Sequence, residues 1–363
     1  MWNFHRVFAL VSILVTLVVT GGCGSAGGSR QPAAKSEPTP RQIEVFYVTN
    51  RAPADRSGNS YGSERGTVTY GMVNVSIPPG HLMGRHEEPS LLKFEWSPSE
   101  HKHIKVRDVT AMARDDFAGR LTRAVENSRG SKLMIFVHGY NETFPGAAKL
   151  VGQFAHDLKF AGPVVLFSWP SQGSLTGYAT DATNAEWAQA HFVDLMGALL
   201  ENVAVENIYL IGHSMGNRII GRGMVRLAAE RPGDVHRFRE LVMIAPDIDA
   251  EVFRMDLAPR LARTGMHMTL YASSNDRAMR ASKVFNGYAR SGESGEALVV
   301  VDGVETIDAS EVTGGFMGHS YFAEDRRIME DIFGMLQTGQ RADHRFNLEA
   351  VDASQGRYWK LRK

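Results

Sequence analysis

The chain has 363 residues, of which 43% are hydrophobic and 22% are charged, so it is long enough to form one large α/β domain or two smaller ones around a sizeable core. Its 40 basic residues balance 40 acidic residues, which leaves no net field to attract nucleic acid or another strongly charged partner. The sequence shows no zinc-type cluster of cysteine and histidine, and we expect neither a metal nor a cofactor.

The N-terminus has the composition of a targeting segment followed by a linker. "MWNFHR" is weakly basic, the next 14 residues are mostly apolar, and small residues precede Cys23, the one cysteine of the sequence. This order resembles a bacterial lipoprotein signal, although Thr20 stands where such signals carry Leu. We therefore predict a signal peptide at 1–22 and a lipid-anchored, flexible linker at 23–42, which is rich in Gly, Ser and Pro. A plain cleaved signal with an incidental cysteine, and an uncleaved anchor, remain alternatives.

The first part of the predicted domain is predicted to form antiparallel strands followed by a helix. Runs rich in β-branched and aromatic residues are separated by Gly, Pro and Ser turns, at 43–50, 66–79, 91–96 and 103–109. Phe117, Leu121 and Val125 then have helical spacing, and Gly130 closes that helix.

From residue 132 onward, short apolar strands alternate with amphipathic helices. The predicted strands are 132–139, 163–169, 207–212, 240–245, 266–273 and 296–303, and the predicted helices are 143–161, 184–203, 215–230, 251–264 and 320–337. Such apolar strands indicate a mostly parallel sheet with helices on both faces. We predict one domain over 43–338 and a polar C-terminal tail over 339–363, in which "RYWKL" has the composition of a short edge segment.

The pattern G-x-S-x-G occurs twice, and its surroundings separate the two copies. In "GHSMG" (212–216) a predicted strand runs into Gly212 and a predicted helix starts directly after Ser214, as a nucleophile elbow requires. In "GNSYG" (58–62) the serine lies among turn residues with no strand leading into it. Ser214 is therefore the predicted nucleophile.

A serine hydroxyl needs a general base, which follows the nucleophile in the chain in this architecture. Four histidines follow Ser214, and three are misplaced: His236 precedes a strand, His267 starts one, and His344 belongs to the tail. His319 lies in the Gly-rich loop "GGFMGHSYF", after the last predicted strand and before the last predicted helix. We predict His319 as the base.

The acid of the triad has three candidates, all directly after predicted strands. Asp276 follows the strand from which the acid usually comes, and Asp247 and Asp249 follow the strand before it. We favour Asp276 and keep Asp247 and Asp249 as alternatives. For the oxyanion hole we predict the backbone N–H groups of Met215, at the start of the helix, and of Tyr140, in the turn "IFVHGYN".

Taken together, "FYVTNR", "YGSERG", "FVHGYN", "GHSMGNR", "APDID", "ASSNDRAM" and "GHSY" resemble the bacterial alpha/beta-hydrolase family catalogued as domain of unknown function 900. The resemblance extends over about residues 43–338 and implies an alpha/beta-hydrolase fold with a serine-hydrolase site at Ser214, Asp276 and His319. It implies no substrate. The roles of the loop at 58–66 and of the segment at 171–190 stay open, since the latter is either a pocket cover or an ordinary connection.

The predicted function is hydrolysis of a small ester or a lipid ester by an exported enzyme that is anchored to a bacterial membrane through Cys23. The same triad acting on a thioester or an amide is one alternative. A non-catalytic envelope lipoprotein with this fold is another, because a fold alone does not specify a function. The sequence does not indicate the oligomeric state, the natural substrate or which membrane carries the anchor.

Overall fold

The computed structural model describes residues 39–55, 60–89, 97–275, 282–283, 286–312 and 321–362. The predicted signal peptide, Cys23 and the predicted strand at 91–96 lie outside these ranges. Within them, no helix combines the length and the apolar composition that crossing a bilayer would take.

Among the described residues, eleven strands form one sheet in the order β10-β11-β9-β8-β7-β6-β4-β5-β1-β2-β3. The strands are β1 Arg41–Pro53, β2 Tyr61–Ile77, β3 Lys105–Met112, β4 Lys132–Val137, β5 Val164–Ser168, β6 Asn207–His213, β7 Phe238–Ile244, β8 His267–Ala272, β9 Glu305–Asp308, β10 Leu348–Ala353 and β11 Gly356–Leu361.

The centre of the sheet is parallel and its N-terminal strands are antiparallel. β1, β5, β4, β6, β7, β8 and β9 pair in parallel, whereas β2 pairs antiparallel with both β1 and β3. The central strands are buried along nearly their whole length, because helices cover both faces. This confirms the predicted mostly parallel sheet with antiparallel N-terminal strands.

The helices divide between the two faces of the sheet, and each set packs its apolar side into a separate core cluster. One cluster contains side chains from α1 Arg114–Glu126, α3 Tyr178–Asn202, α4 Gly216–Glu230, α5 Ala250–Val252 and α6 Ala258–Ala262. The other contains side chains from α2 Phe144–Asp157, α7 Tyr321–Glu324 and α8 Arg326–Thr338. Loops at the carboxyl edge of the sheet are therefore held between two layers of helices, at the edge where active sites of such sheets lie.

Near the C-terminus, one expectation from the sequence differs from the structure and one agrees with it. The apolar run at 296–303 is not a strand: Val299 is buried, but Gly303 turns the chain at a φ of 83°, and residues 305–308 make the sheet bonds as β9. The tail contributes the edge of the sheet, in line with the edge segment predicted at "RYWKL", because β10 and β11 form a hairpin and β11 pairs in parallel with β9. Trp359 in "RYWKL" is buried and supplies the apolar contact that holds this hairpin to the core.

Candidate active site

Ser214 lies on the turn between β6 and α4, where this architecture places a nucleophile elbow. Its φ is 50°, in the left-handed region that residues with a side chain rarely adopt. Two backbone hydrogen bonds fix the turn against the end of β7. The N–H of Ser214 donates to the carbonyl of Ile244 at 2.9 Å, and its own carbonyl accepts from the N–H of Asp247 at 3.2 Å. The surrounding fold thus maintains a strained backbone, as is common at functional sites.

The glycines on either side of Ser214 let the backbone pass closely. A Cβ atom at Gly212 would overlap Oδ1 of Asn217, and one at Gly216 would overlap the carbonyl oxygen of Val137 at the end of β4. Larger residues at both positions would push strand and helix apart. The spacing of the pattern therefore has a steric cause.

The loop after β4, which we call the oxyanion loop (residues 138–142), packs directly against the elbow. A Cβ atom at Gly139 would lie 2.9 Å from Cβ of Ser214, so the backbone of the next residue, Tyr140, is beside the serine. Met215 is the N-cap of α4, where N–H groups lack acceptors within the helix and can bind negative charge. Met215 and the loop that contains Tyr140 thus adjoin Ser214, and the roles of their N–H groups in an oxyanion hole stay predictions.

The oxyanion loop rests on Arg51 of β1, a residue that the sequence analysis does not identify. Arg51 is 1% exposed. It donates to the carbonyls of Gly62 at 2.9 Å, Ser171 at 2.9 Å and Glu142 at 2.7 Å, and to Oγ of Ser168 at 3.0 Å. Burial lowers the pKa of Arg51 to about 10, which still leaves the guanidinium charged near neutral pH. One side chain therefore joins β1, β2, the end of β5 and the oxyanion loop.

His138, at the start of this loop, is fully buried and stacks on Trp169, with ring centroids 5.1 Å apart and planes at 10°. Its ring nitrogens lie 2.8 Å from the carbonyl oxygen of Gly139 and 3.1 Å from that of Trp169. Burial and the charge of Arg51 lower the pKa of His138 to about 3. The imidazole is therefore neutral at physiological pH and braces the loop.

We expect Arg51→Met to lower the free energy of unfolding by about 3–5 kcal/mol, because three carbonyl acceptors in the interior lose their donor. Arg129→Met, at an exposed position, should change it by less than about 0.5 kcal/mol. Urea unfolding of the two variants provides the measurement. Similar stability of Arg51→Met and the parent protein would contradict the role given to this buried guanidinium.

Asp247, one alternative acid, is buried in a network of donors. Its Oδ1 accepts from Oγ of Ser282 at 2.6 Å and Nε of Arg290 at 2.7 Å, and its Oδ2 accepts from the hydroxyl of Tyr178 at 2.8 Å and the guanidinium of Arg218 at 3.0 Å. Burial alone would raise the pKa of Asp247, but the two arginines outweigh that effect and hold this pKa below its ordinary value. Both oxygens are thus engaged in holding three segments together.

Asp249, the other alternative, caps α5 by accepting from the N–H groups of Glu251 and Val252, both at 3.0 Å. Asp276 and His319 lie outside the described residues, so their places in a triad with Ser214 stay predictions. The structural roles of Asp247 and Asp249 favour Asp276 as the acid.

The segment at 171–190 is attached to the oxyanion loop through Asp181 of α3. Its fully buried carboxylate accepts from the hydroxyl of Ser171 at 2.6 Å, the N–H of Gln172 at 2.7 Å and the N–H of Asn141 at 3.1 Å. Asn141 has a φ of 58°. The carboxylate therefore holds the loop in a left-handed conformation, which asparagine adopts more readily than other residues with a side chain.

The motif "YGSERG" contacts the same helix. Nε of Arg65 in β2 donates to Oδ1 of Asn184 at 2.7 Å, and its guanidinium carbon lies 4.9 Å from the ring centroid of Trp187. Ser60, the serine of the first G-x-S-x-G, is instead partly buried directly before β2 and donates to Oδ2 of Asp55 at 2.7 Å. This part of the motif docks β2 on α3, and Ser60 is not on a strand-to-helix elbow.

Several solved structures are similar to the chain at low identity. An esterase of the fungus Rhizomucor miehei has 13% identity and a TM-score of 0.37, with 83% of this chain and 84% of that one covered. Aspergillus fumigatus lipase B has 16% identity and a TM-score of 0.35, with 57% and 52% covered. An esterase of Pyrobaculum calidifontis has 11% identity and a TM-score of 0.33, with 83% and 86% covered.

A family model shows the family of the chain. It is described as an alpha/beta hydrolase of unknown function (DUF900) and matches residues 113–336, which is more than half of the chain. The motifs "FYVTNR" and "YGSERG" precede the matched region. No curated protein gives a significant match. With the sheet order and the strand–serine–helix turn described above, the chain belongs to the DUF900 family of alpha/beta hydrolases.

Proposed function

We propose that this protein is a serine hydrolase that cleaves a carboxylic ester through an acyl-enzyme on Ser214. The main support is the conformation of Ser214, whose φ of 50° between β6 and α4 is the strained turn of a nucleophile elbow. The close approach of Gly139 to Cβ of Ser214 adds support, because it brings the loop that carries the N–H of Tyr140 against the proposed nucleophile.

In the proposed reaction, Oγ of Ser214 attacks the ester carbonyl carbon while His319 takes the hydroxyl proton and Asp276 orients the imidazole. The N–H groups of Tyr140 and Met215 stabilise the negative charge on the former carbonyl oxygen. The C–O bond to the leaving alcohol then breaks, and His319 returns the proton to that alcohol. Water, deprotonated by His319, hydrolyses the acyl-enzyme and regenerates Ser214.

Labelling with a fluorophosphonate tests the nucleophile, and p-nitrophenyl esters of graded chain length test the substrate class. We expect a phosphonyl adduct on the peptide that contains Ser214, detected by mass spectrometry, and turnover of at least one ester. Turnover of thioesters or amides with no turnover of esters would favour the first alternative. Absence of both adduct and turnover in folded protein would favour a non-catalytic envelope protein.

We also propose that the mature chain starts at Cys23 and is held at a bacterial membrane by a lipid on that residue. The support is the apolar run with small residues before a solitary cysteine, followed by a Gly-, Ser- and Pro-rich linker.

Cys23→Ala should therefore move the protein from the membrane fraction to the supernatant after cell lysis, because the lipidation site is lost. Immunoblotting of both fractions after a carbonate wash measures the change. A variant that still sediments with the membranes would show that the lipid on Cys23 is not the anchor.

A further inference from the structure

A second group of titratable side chains lies at the amino edge of the sheet, the edge opposite to the one that carries Ser214. β2 ends at Ile77, which pairs with Arg41 at the start of β1, and His81 follows in the connection after β2. His156 and Asp157 end α2, shortly before β5 begins. These three residues form the cluster that we call the amino-edge cluster.

The amino-edge cluster brings three potential metal ligands close together. One ligand atom from each of His81, His156 and Asp157 lies within 4.8 Å of the other two. Nε2 of His81 is 2.7 Å from Oδ1 of Asp157, and these side chains are 2% and 1% exposed. The imidazoles of His81 and His156 are edge-on, with centroids 5.2 Å apart. Nδ1 of His156 is buried and has no hydrogen-bond partner within the part of the chain that the structure describes.

Two further contacts orient these ligands from outside. Oε2 of Glu87 lies 2.7 Å from Nδ1 of His81, so that Nε2 of the same ring faces Asp157. Oδ2 of Asp157 accepts from the N–H of Gly84 at 3.0 Å, which directs Oδ1 toward the imidazoles. A carboxylate on the outer nitrogen of a histidine is the usual second layer of a metal site, because it fixes the tautomer and raises the basicity of the ligand.

The charges of the group also suit a cation. Glu87 and Asp157 supply two carboxylates, which a divalent ion would balance when both histidines are neutral. Two imidazole nitrogens and one carboxylate oxygen are a ligand set that Zn²⁺ accepts, with a fourth position left for water. Mg²⁺ and Ca²⁺ prefer oxygen ligands only, so the nitrogen content favours a transition-metal ion.

We propose that His81, His156 and Asp157 bind one divalent transition-metal ion, such as Zn²⁺. At Zn–N and Zn–O distances of about 2.0–2.2 Å, ligand atoms in a tetrahedral site are about 3.3 Å apart. The ion therefore replaces the proton shared by His81 and Asp157, separates these two side chains slightly, and draws His156 inward to give its unpartnered nitrogen a bond.

The ion acts on stability, because its ligands join two segments of the chain at the edge of the sheet opposite to the one that carries Ser214. His81 belongs to the connection after β2 and Asp157 to α2. A Cβ atom at Gly84 in the same connection would lie 2.7 Å from the backbone nitrogen of Arg326, at the start of α8. Bound metal attaches the connection after β2 to α2, and the same connection packs on α8. Metal that binds only the folded protein stabilises it by mass action.

The test uses the full chain without a histidine tag, purified in detergent and stripped with a chelator. Isothermal titration with Zn²⁺ should show one ion per chain, and the Tm should rise with Zn²⁺ concentration. His156→Ala should abolish the saturable binding, and Glu87→Gln should weaken it about 10- to 100-fold. His101→Ala, at an exposed histidine, is the matched control and should bind as the parent protein does.

His156→Ala removes a ring with an unpartnered nitrogen, so it should fold, and circular dichroism checks this. Saturable binding of one Zn²⁺ per chain in folded His156→Ala would overturn the proposal. So would the absence of stoichiometric binding in the parent protein, in which case His81 is a protonated bridge between Glu87 and Asp157. Both results are independent of fluorophosphonate labelling at Ser214, so this proposal and the proposed hydrolase activity can fail separately.

Discussion

Ser214→Ala should lower kcat for the best ester by about 10⁴- to 10⁶-fold, because the reaction loses the nucleophile that forms the acyl-enzyme. Alanine keeps a Cβ atom, so the strained turn between β6 and α4 is preserved and the loss reports chemistry. His319→Ala should cost a similar factor, and the double variant scarcely more, because a nucleophile and its base act as one unit. Steady-state kinetics on the three variants measure these losses.

Ser60→Ala is the matched control, since it changes the serine of the other G-x-S-x-G. Ser60 directly precedes β2 and its hydroxyl donates to Asp55, away from the elbow between β6 and α4, so its loss should leave kcat nearly unchanged. Ester turnover that survives in Ser214→Ala, or a phosphonyl adduct on the peptide containing Ser60, would refute the proposed nucleophile.

Asp276→Asn should lower kcat by up to about 10⁴-fold while the protein stays folded, because the base loses its orienting carboxylate. Asp247→Asn should instead lower the free energy of unfolding by about 3–5 kcal/mol, because the buried guanidinium of Arg290 and the partly buried one of Arg218 lose their counter-charge. Kinetics and thermal unfolding of both variants separate the two effects.

Asp249, the other alternative acid, supplies a control for these variants. The pH dependence of stability supplies a further check on the role of Asp247. Asp249→Asn should be nearly neutral in both measurements, because Asn caps a helix about as well as Asp. The lowered pKa of Asp247 means that its stabilisation is present above the unfolded pKa of about 3.9 and is lost as the pH falls through the folded value. Loss of turnover in folded Asp247→Asn, with normal turnover in Asp276→Asn, would transfer the role of the acid to Asp247.

The features that the sequence predicts well are those that depend on neighbouring residues. Strand and helix periods are local, so the alternation from residue 132 onward leads to the parallel sheet and its two layers of helices. The elbow is local as well, because Gly212, Ser214 and Gly216 lie within five consecutive positions and the steric roles of the two glycines follow from that spacing. The apolar run at 296–303 is wrongly predicted as a strand for the same reason, since a local period does not distinguish a buried loop from a buried strand.

The features that only the tertiary structure decides join residues that are far apart in the chain. Arg51 supports the oxyanion loop through the carbonyl of Glu142, 91 residues away, and its sequence context of "VTNR" contains no sign of this contact. His81 and Asp157 meet across 76 residues, so the sequence contains no short spacing of potential metal ligands that would indicate the amino-edge cluster. The sequence alone therefore leads us to expect no metal. A hydrogen bond or a ligand bond needs atoms within about 3 Å, and for distant residues that proximity comes from the packing of the sheet and its helices. The sequence by itself thus determined the architecture and the position of Ser214, whereas long-range packing decided which buried charges hold the site in place.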